Sequence, residues 1–249
     1  MIKNAKLNWV RLPLVSVDNC RELGGYSTAD GQQTKWHELL RSSDMSKLTE
    51  EDITFLNEYG VKTVIDLRGE DEIVAKPNAL VKEDFCHYYN FPFITKQVSN
   101  ITYSTTEKRF MGDFYIELLE DNKVLHDIFY RIAHAEEGGI IFHCAGGKDR
   151  TGILAMMLLS LAGVEKKDII SNYEVSYTNL KTMHTEEDLP EGIPVDYMYS
   201  KGEYMEKTYE YLTATYETVE QYLLAKGVEQ EVITLVKNRL IDKGSVVTI

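Results

Sequence analysis

The residues most able to do chemistry in this sequence lie between Ile140 and Gly152, a stretch that reads IIFHCAGGKDRTG. Cys144 directly follows a short apolar run, and five residues separate it from Arg150. The apolar run predicts a strand, and the residues after Arg150 predict a helix. Two glycines, Gly146 and Gly147, let the intervening backbone curl tightly towards a ligand. The spacing therefore places a thiol and a guanidinium at the two ends of one short loop.

The loop from Ala145 to Asp149 is suited to holding an anion. A tight loop at a helix N-terminus points several N–H groups at one position, and the helix dipole adds positive potential there. The same surroundings favour the thiolate form of a cysteine, which is its nucleophilic form. Cys144 is therefore predicted to be a nucleophile that needs no dedicated base.

Arg150 indicates which anion the loop would hold. Its planar guanidinium suits two oxygens of a phosphoryl group. Phosphoryl transfer needs mainly positioning and charge stabilisation, which a cysteine, a set of N–H groups and an arginine together supply. Lys148 adds a point charge near the rim, and Thr151 places a hydroxyl close to the thiolate. The predicted substrate-binding residues are Ala145, Gly146, Gly147, Lys148 and Thr151.

Two other interpretations of the loop fit the residues poorly. A nucleotide-binding loop needs Ser or Thr after Gly-Lys, whereas Asp149 follows Lys148. A zinc site needs clustered Cys and His, and neither Cys20 nor Cys86 has a paired neighbour. We therefore expect no metal and no cofactor. A free cysteine is most often a small buried hydrophobic residue, and we expect that role for Cys20 and Cys86.

The composition is that of an ordinary globular protein, with 249 residues, 43% hydrophobic and 27% charged. The net charge of −13 argues against general binding of nucleic acid or an anionic membrane. Three cysteines are too few for a disulfide framework, so we expect the cytoplasm, with export by a non-classical route left open. We find no signal peptide. The longest apolar run, residues 152–164, is too short for stable membrane insertion.

The elements that must position the loop alternate along the centre of the chain. A helix is predicted from Thr49 to Gly60, and strands over residues 61–67, within 85–93 and over 140–142. Short strands and turns are expected in the first forty residues. Alternating strands and helices predict an α/β fold, a central and mostly parallel sheet flanked by helices. The remaining predicted helices cover residues 111–120, 122–137, 150–161, 166–180, 203–225 and 228–241.

No linker or internal repeat divides the chain, which predicts a single domain over residues 1–249. Residues 181–202 mix charged residues, tyrosines, Pro190 and Pro194. This segment is the candidate for a mobile insertion that would act as a helical lid.

The sequence resembles a known enzyme family at the loop and beyond it. His143-Cys144, five residues, then Arg150-Thr151 resembles the active-site loop of cysteine-dependent protein tyrosine and dual-specificity phosphatases. The string HCAGGKDRTG is similar to the bacterial branch of mycobacterial tyrosine phosphatase B and the Listeria lipid-and-tyrosine phosphatase. Four further stretches resemble that branch, in chain order: residues 19–26, 41–43, 64–68 and 216–223.

This resemblance implies a tyrosine-phosphatase-like α/β fold, a cysteinyl-phosphate intermediate and no metal. It implies phosphorylated substrates: phosphotyrosine, with phosphoserine, phosphothreonine and phosphoinositides left open. The position of Lys148 resembles a lysine that lipid phosphatases carry in the same loop, which keeps a phosphoinositide substrate open. The expected partners are therefore a phosphorylated protein or a phosphoinositide, each bound as substrate, with no nucleic acid and no stable membrane insertion.

The general acid is the point on which the sequence departs from the wider family. Neither tryptophan is followed by Pro-Asp, so the usual Trp-Pro-Asp acid loop is missing. Within this branch Asp149 is the leading substitute, because it lies beside the leaving-group side of the loop. Asp66, at the carboxyl end of a predicted strand, is the alternative. The structural explanation for Asp66 is an ion pair with Arg21 or Arg41.

The residue directly before Cys144 is a histidine, His143. His143 is expected to hold the loop by buried hydrogen bonds and to favour the Cys144 thiolate, rather than to transfer protons itself.

The leading function is a phosphomonoester hydrolase. The alternatives are a catalytically weak phosphate-binding module of the same fold, and a thiol redox or sulfur-transfer protein.

Overall fold

The computed structural model describes residues 4–93, 111–180 and 195–242. Within them, a central and mostly parallel sheet is flanked by helices, which confirms the predicted α/β class. Among the helices of this described part, none combines the length and the apolar character that crossing a membrane requires.

The first half of the chain supplies most of the sheet. Its elements are β1 (Arg21–Glu22), β2 (Gln33–Thr34), β3 (Leu39–Ser42), α1 (Glu50–Tyr59), β4 (Val61–Asp66), α2 (Glu70–Ala75), a 3₁₀ turn (Ala79–Lys82) and β5 (His87–Asn90).

The second half is mainly helical. It contains α3 (Met111–Glu120), α4 (Leu125–His134), β6 (Gly139–His143), α5 (Asp149–Leu161), α6 (Lys166–Asn179), a 3₁₀ turn (Val195–Met198), α7 (Gly202–Tyr216), α8 (Val219–Ala225), α9 (Gln230–Leu240) and β7 (Ile241–Asp242).

The strand that leads into Cys144 lies at the centre of the sheet. The strand order is β1-β3-β6-β4-β5, and β6 pairs in parallel with both β3 and β4. All five residues of β6 are buried, as expected for a strand covered on both faces. Ser42 and Asp66 both pair with His143 in register. The carboxyl ends of three strands therefore meet where β6 gives way to the Cys144 loop, defined here as residues 144–150.

Local signals fix α1 and α5 where the sequence predicts them. The Thr49 hydroxyl accepts a hydrogen bond from the Asp52 N–H at 3.2 Å, and Gly60 ends α1 in the left-handed conformation at φ 96°. Helix α5 is apolar around most of its circumference and is buried along most of its length. Its first turn therefore projects from the core into the Cys144 loop.

One predicted helix is wrong. Residues 203–225 form two helices, α7 and α8, because Glu217 adopts φ 69° and breaks the chain direction. The hydroxyl of Thr218 accepts from the Gln221 N–H at 3.1 Å and starts α8 afresh. A threonine that caps a new helix competes with continuation of the previous one.

The segment predicted to be an insertion is described only at its end, since residues 181–194 lie outside the described residues. Ser200 attaches that end to α6. Its hydroxyl donates to the Glu174 carbonyl and accepts from the Tyr177 N–H, both at 2.8 Å. The prediction of a single domain stays a prediction.

Candidate active site

Cys144 lies immediately after β6, with only 2% of its surface exposed. The preceding His143 is fully buried, and its ring bridges two groups. Nε2 lies 2.8 Å from Nδ2 of Asn78, and Nδ1 lies 3.1 Å from the Cys144 carbonyl oxygen. His143 thus holds the start of the Cys144 loop by buried hydrogen bonds.

The carbonyl groups of the Cys144 loop are held from outside the loop. The Asp44 N–H donates to the Ala145 carbonyl at 2.8 Å. Nδ2 of Asn19 donates to the carbonyls of Gly146 and Gly147, at 3.1 and 3.0 Å. Asn19 itself adopts φ 59°, a left-handed conformation that asparagine tolerates better than most residues.

Arg41, at the end of β3, holds the next part of the loop. Its Nη2 donates to the Gly147 carbonyl at 2.7 Å and to the Lys148 carbonyl at 3.3 Å. Its Nη1 donates to Oδ1 of Asn172 on α6 at 2.6 Å. The side chain is completely buried.

Arg21 supports this arrangement from behind. Its Nη1 contacts Oδ1 of Asn19 and donates to the Asn19 carbonyl at 3.1 Å. Its Nη2 donates to the Asn172 carbonyl at 2.7 Å and to the Ser176 hydroxyl at 3.0 Å. Within the described ranges, neither Arg21 nor Arg41 has an acidic partner.

Two buried arginines without acidic partners concentrate positive charge behind the loop. Burial lowers the pKa of Arg41 to about 10, while the charge of Cys144 acts in the opposite direction. Burial and the neighbouring Arg41 lower the pKa of Arg21. Such a pair favours an anion nearby, either a thiolate or a phosphoryl group.

The N–H groups of the loop remain available because the carbonyls point outwards. None of the N–H groups of residues 145–148 donates to an acceptor in the described chain. Successive free N–H groups in a curled loop form a concave anion site. The backbone of Gly147 makes this curl possible: its φ is +64°, and an added Cβ would lie 2.3 Å from the Ser42 carbonyl oxygen.

Glu72 of α2 fixes the orientation of the Arg150 guanidinium. Nη1 and Nη2 of Arg150 lie 2.6 and 2.8 Å from the two carboxylate oxygens. Burial acts to lower the pKa of Arg150, but the Glu72 hydrogen bonds and the Cys144 charge outweigh it and raise the pKa. Glu72 also accepts from the Gly69 N–H at 2.9 Å, which fixes its own position.

Asp149 is the first residue of α5, and its side chain is 31% exposed. The Tyr115 hydroxyl of α3 donates to its Oδ1. Nζ of Lys148 lies 3.4 Å from the same oxygen. One carboxyl oxygen is therefore held by donors, and Oδ2 makes no hydrogen bond with the described residues.

A model of the tyrosine phosphatase family matches residues 12–242 of this chain. The chain belongs to the tyrosine phosphatase family. One relative is a tyrosine-protein phosphatase of Nostoc commune, 37% identical over 139 residues, which cover 55% of this chain and 47% of that protein. Another is the triple specificity protein phosphatase PtpB of Mycobacterium tuberculosis, 24% identical over 165 residues, which cover 54% of this chain and 59% of that protein. The matches thus span about half of each relative.

Lys148 of this tyrosine phosphatase family member does not extend over the rim of the loop. Its side chain is buried, and Nζ donates to the Tyr199 carbonyl at 3.0 Å and contacts the Tyr197 carbonyl. The ammonium group therefore links the Cys144 loop to the segment that precedes α7.

Thr151 is buried in the first turn of α5. Its hydroxyl has no hydrogen-bond partner in the described chain, so the expected contact with the Cys144 sulfur is not made.

Asp66 lies behind His143 rather than beside Asp149. It pairs with Arg68, whose Nη2 lies 2.7 Å away, and not with Arg21 or Arg41. Burial alone would raise the pKa of Asp66, but contacts with His143 and Arg68 outweigh it and lower the pKa well below its usual range. A carboxyl that stays ionised serves to orient its neighbours better than to donate a proton.

Sequence reasoning missed Glu72 and Tyr115. Glu72 lies in a short acidic stretch, and Tyr115 lies in an apolar helix, so neither had a local signal of its role. The loop partners Asn19 and Arg41 had a signal, because they stand in two of the stretches that resemble the bacterial phosphatases. No group of three or more His, Cys, Asp or Glu in the described ranges is arranged to hold a metal ion.

Proposed function

We propose that this chain hydrolyses phosphomonoesters, phosphotyrosine first among them, through a phosphoryl group carried on Cys144. The observation that carries the proposal is the orientation of the Cys144 loop. Its carbonyls are bound from outside by Asn19, Arg41 and the Asp44 N–H. Its N–H groups are left for an anion beside the cysteine.

In the first proposed step, the Cys144 thiolate attacks phosphorus. The S–P bond forms, and the bond from phosphorus to the leaving oxygen breaks. Arg150 and the loop N–H groups hold the phosphoryl oxygens in place as charge redistributes. Asp149 gives its proton to the leaving oxygen and becomes a carboxylate.

In the second proposed step, water attacks the cysteinyl phosphate. A new O–P bond forms as the S–P bond breaks, and the electron pair returns to sulfur. Asp149, now ionised, takes a proton from the attacking water. Inorganic phosphate leaves, and Cys144 and Asp149 regain their starting states.

Substrate preference rests on the surroundings of the loop. The ammonium of Lys148 is bound to backbone carbonyls, which leaves it poorly placed for a second phosphate on an inositol ring. The net charge of −13 also disfavours an anionic membrane. We therefore place phosphotyrosine first, and phosphoserine, phosphothreonine and phosphoinositides after it, although one relative's name states triple specificity.

Two alternatives remain proposals of lower rank. A phosphate-binding module would need no nucleophile or acid, yet Cys144, Asp149 and Arg150 stand together in the chain. A sulfur-transfer or redox protein would need no carboxyl directly before the arginine. Three free cysteines support a cytoplasmic location.

The decisive experiment measures hydrolysis of p-nitrophenyl phosphate by the wild type, Cys144→Ser and Cys86→Ser, each with a chelator present. Cys86 is the matched control, since it is buried in a different apolar cluster. We expect activity in the wild type and in Cys86→Ser and none in Cys144→Ser. Equal activity in wild type and Cys144→Ser would exclude the proposed nucleophile.

Trapping separates the alternatives. Rapid acid quench followed by mass spectrometry should find one phosphoryl group on the peptide that contains Cys144. A persulfide there would favour sulfur transfer. Phosphate binding without turnover in the wild type would favour the binding module.

A further inference from the structure

Two buried tyrosines form a hydrogen-bonded chain that ends on the proposed general acid. The hydroxyl of Tyr115 donates to Oδ1 of Asp149, and it lies 2.6 Å from the hydroxyl of Tyr173. Tyr115 is fully buried and Tyr173 is 1% exposed. Their rings meet edge to face, with centroids 5.9 Å apart. Helices α3, α5 and α6 thus converge on one carboxyl group.

The proton count gives this chain of hydroxyls a direction. Each phenol carries one proton, and burial together with the charge of Asp149 raises the pKa of Tyr115 well above its ordinary value. Burial also raises the pKa of Tyr173. Both phenols therefore stay protonated. Since the Tyr115 hydroxyl donates its hydrogen bond to the carboxyl group, the Tyr115 oxygen accepts a hydrogen bond from the Tyr173 hydroxyl.

The arrangement distinguishes the two oxygens of Asp149. Oδ1 accepts from Tyr115 and faces Lys148 Nζ at 3.4 Å. The carbonyl oxygen of a protonated carboxyl group can accept the same bond as a carboxylate oxygen. An oxygen that already accepts from these donors is a poor place for an added proton. Oδ2, which has no hydrogen bond to the described residues, is the oxygen left to carry it.

We propose that Tyr115, supported by Tyr173, is a positioning residue that holds Oδ1 of Asp149 and so leaves Oδ2 to exchange the proton with substrate and water. This inference rests on the proposed function, because it assigns the proton to Asp149. In the first step the proton passes from Oδ2 to the leaving oxygen. In the second, Oδ2 takes it back from the attacking water.

The test uses two substrates that differ in their need for a proton. Phenyl phosphate has a poor leaving group and depends on the acid, whereas p-nitrophenyl phosphate has a good one and depends on it less. The quantity compared is kcat/KM, which reports the steps up to departure of the leaving group and not hydrolysis of the common cysteinyl phosphate. We expect Asp149→Asn to lower kcat/KM for phenyl phosphate by about 100-fold or more. Tyr115→Phe should lower it by about 10-fold, through the loss of one hydrogen bond to the acid. Both variants should lower kcat/KM for p-nitrophenyl phosphate far less.

The matched control is Tyr222→Phe. Tyr222 is also fully buried, and its hydroxyl donates to the Leu119 carbonyl at 2.8 Å, at the far end of α3. The substitution removes a hydrogen bond of a buried phenol and leaves Asp149 untouched. The ratio of kcat/KM for phenyl phosphate to kcat/KM for p-nitrophenyl phosphate should therefore stay at the wild-type value. Tyr173→Phe should change the ratio in the same direction as Tyr115→Phe, by a smaller factor.

A double variant decides whether Tyr115 acts through Asp149. In Asp149→Asn with Tyr115→Phe, kcat/KM for phenyl phosphate should match that of Asp149→Asn alone. The inference is overturned if the two losses multiply, or if Tyr115→Phe slows both substrates equally or neither. If Asp149→Asn leaves both substrates unaffected while Cys144→Ser is inactive, the assignment of the acid has failed. If Cys144→Ser is active, the proposed function itself has failed.

Discussion

Arg41 lies completely buried behind the Cys144 loop and donates its Nη2 to the carbonyl oxygen of Gly147 at 2.7 Å. This bond turns a carbonyl away from the loop interior and so turns the neighbouring N–H groups towards it. The same side chain brings a positive charge that has no acidic partner in the described ranges. One residue on β3 therefore contributes both to the shape of the anion site and to its charge.

Replacement of Arg41 should weaken anion binding. Arg41→Met removes a buried positive charge and frees the Gly147 carbonyl, so we expect the inhibition constant of inorganic phosphate to rise by about 10-fold. Arg41→Lys keeps the positive charge but loses the planar guanidinium. Its inhibition constant for phosphate should lie between those of the wild type and Arg41→Met. Competitive inhibition of p-nitrophenyl phosphate hydrolysis measures this, and an unchanged constant in Arg41→Met would contradict the role.

Gly147 should tolerate no side chain. Its φ is +64°, and an added Cβ would lie 2.3 Å from the Ser42 carbonyl oxygen, a backbone atom that cannot move aside cheaply. We expect Gly147→Ala to lower the free energy of unfolding by about 2–4 kcal/mol. The matched control is Gly146→Ala, where the nearest atom is Cδ1 of Leu180 at 3.8 Å and the cost should stay below about 1 kcal/mol. Urea denaturation of both variants makes the comparison, and equal stabilities would refute it.

Glu72 should act through Arg150. Glu72→Gln replaces a two-pronged ion pair at 2.6 and 2.8 Å with a weaker neutral contact, so the guanidinium loses its fixed plane. We expect kcat/KM for p-nitrophenyl phosphate to fall by about 10-fold. Glu70→Gln, an exposed change on the same helix, should leave it unchanged. Steady-state kinetics on the two variants tests this, and a similar loss in both would point to α2 as a whole rather than to the ion pair.

Glu22 should make stability fall as the pH rises. It accepts from the Tyr59 hydroxyl at 2.6 Å and the His37 N–H at 2.9 Å, but its Oε2 is buried and unpartnered in the described chain. Burial raises the pKa of Glu22 to about 7, from an ordinary value of 4.5. Between these values the unfolded chain has already lost the proton that the folded chain keeps, so rising pH favours unfolding.

The measurement for Glu22 is the difference in unfolding free energy between Glu22→Gln and the wild type at two pH values. From pH 4.5 to pH 8 this difference should move in favour of the variant by up to about 3 kcal/mol. Glu70→Gln should show no such trend, because Glu70 is exposed. A flat difference for Glu22→Gln would show that Glu22 ionises normally in the folded protein.

Much of the local structure could be read directly from the chain. Thr49, with Asp52 three residues on, marked the start of α1, and Gly60 marked its end. The apolar run before Cys144 predicted the buried strand β6. These signals are local because capping groups and glycine act on backbone atoms only a few residues away.

The wrong predictions arose where several local structures or ion-pair partners were possible and the sequence did not show which one is most stable. Residues 203–225 carry a continuous helical pattern, yet Thr218 caps a new helix and Glu217 takes φ 69°. Asp66 was expected to pair with Arg21 or Arg41, yet Arg68, two residues along, binds it. In both cases several partners were chemically suitable, and only the packed chain selects one.

By itself the sequence determined the type of chemistry: a cysteine and an arginine at the ends of a glycine-containing loop, between a strand and a helix, which suits a phosphoryl group. The tertiary structure decided how that loop is held and what its side chains contact. Arg41, Glu72 and Tyr115 reach it from β3, α2 and α3, and Asn19 reaches it from the segment just before β1. Such contacts join residues that lie far apart in the sequence, and they form only when strands and helices pack together. The local spacing of residues does not specify that packing.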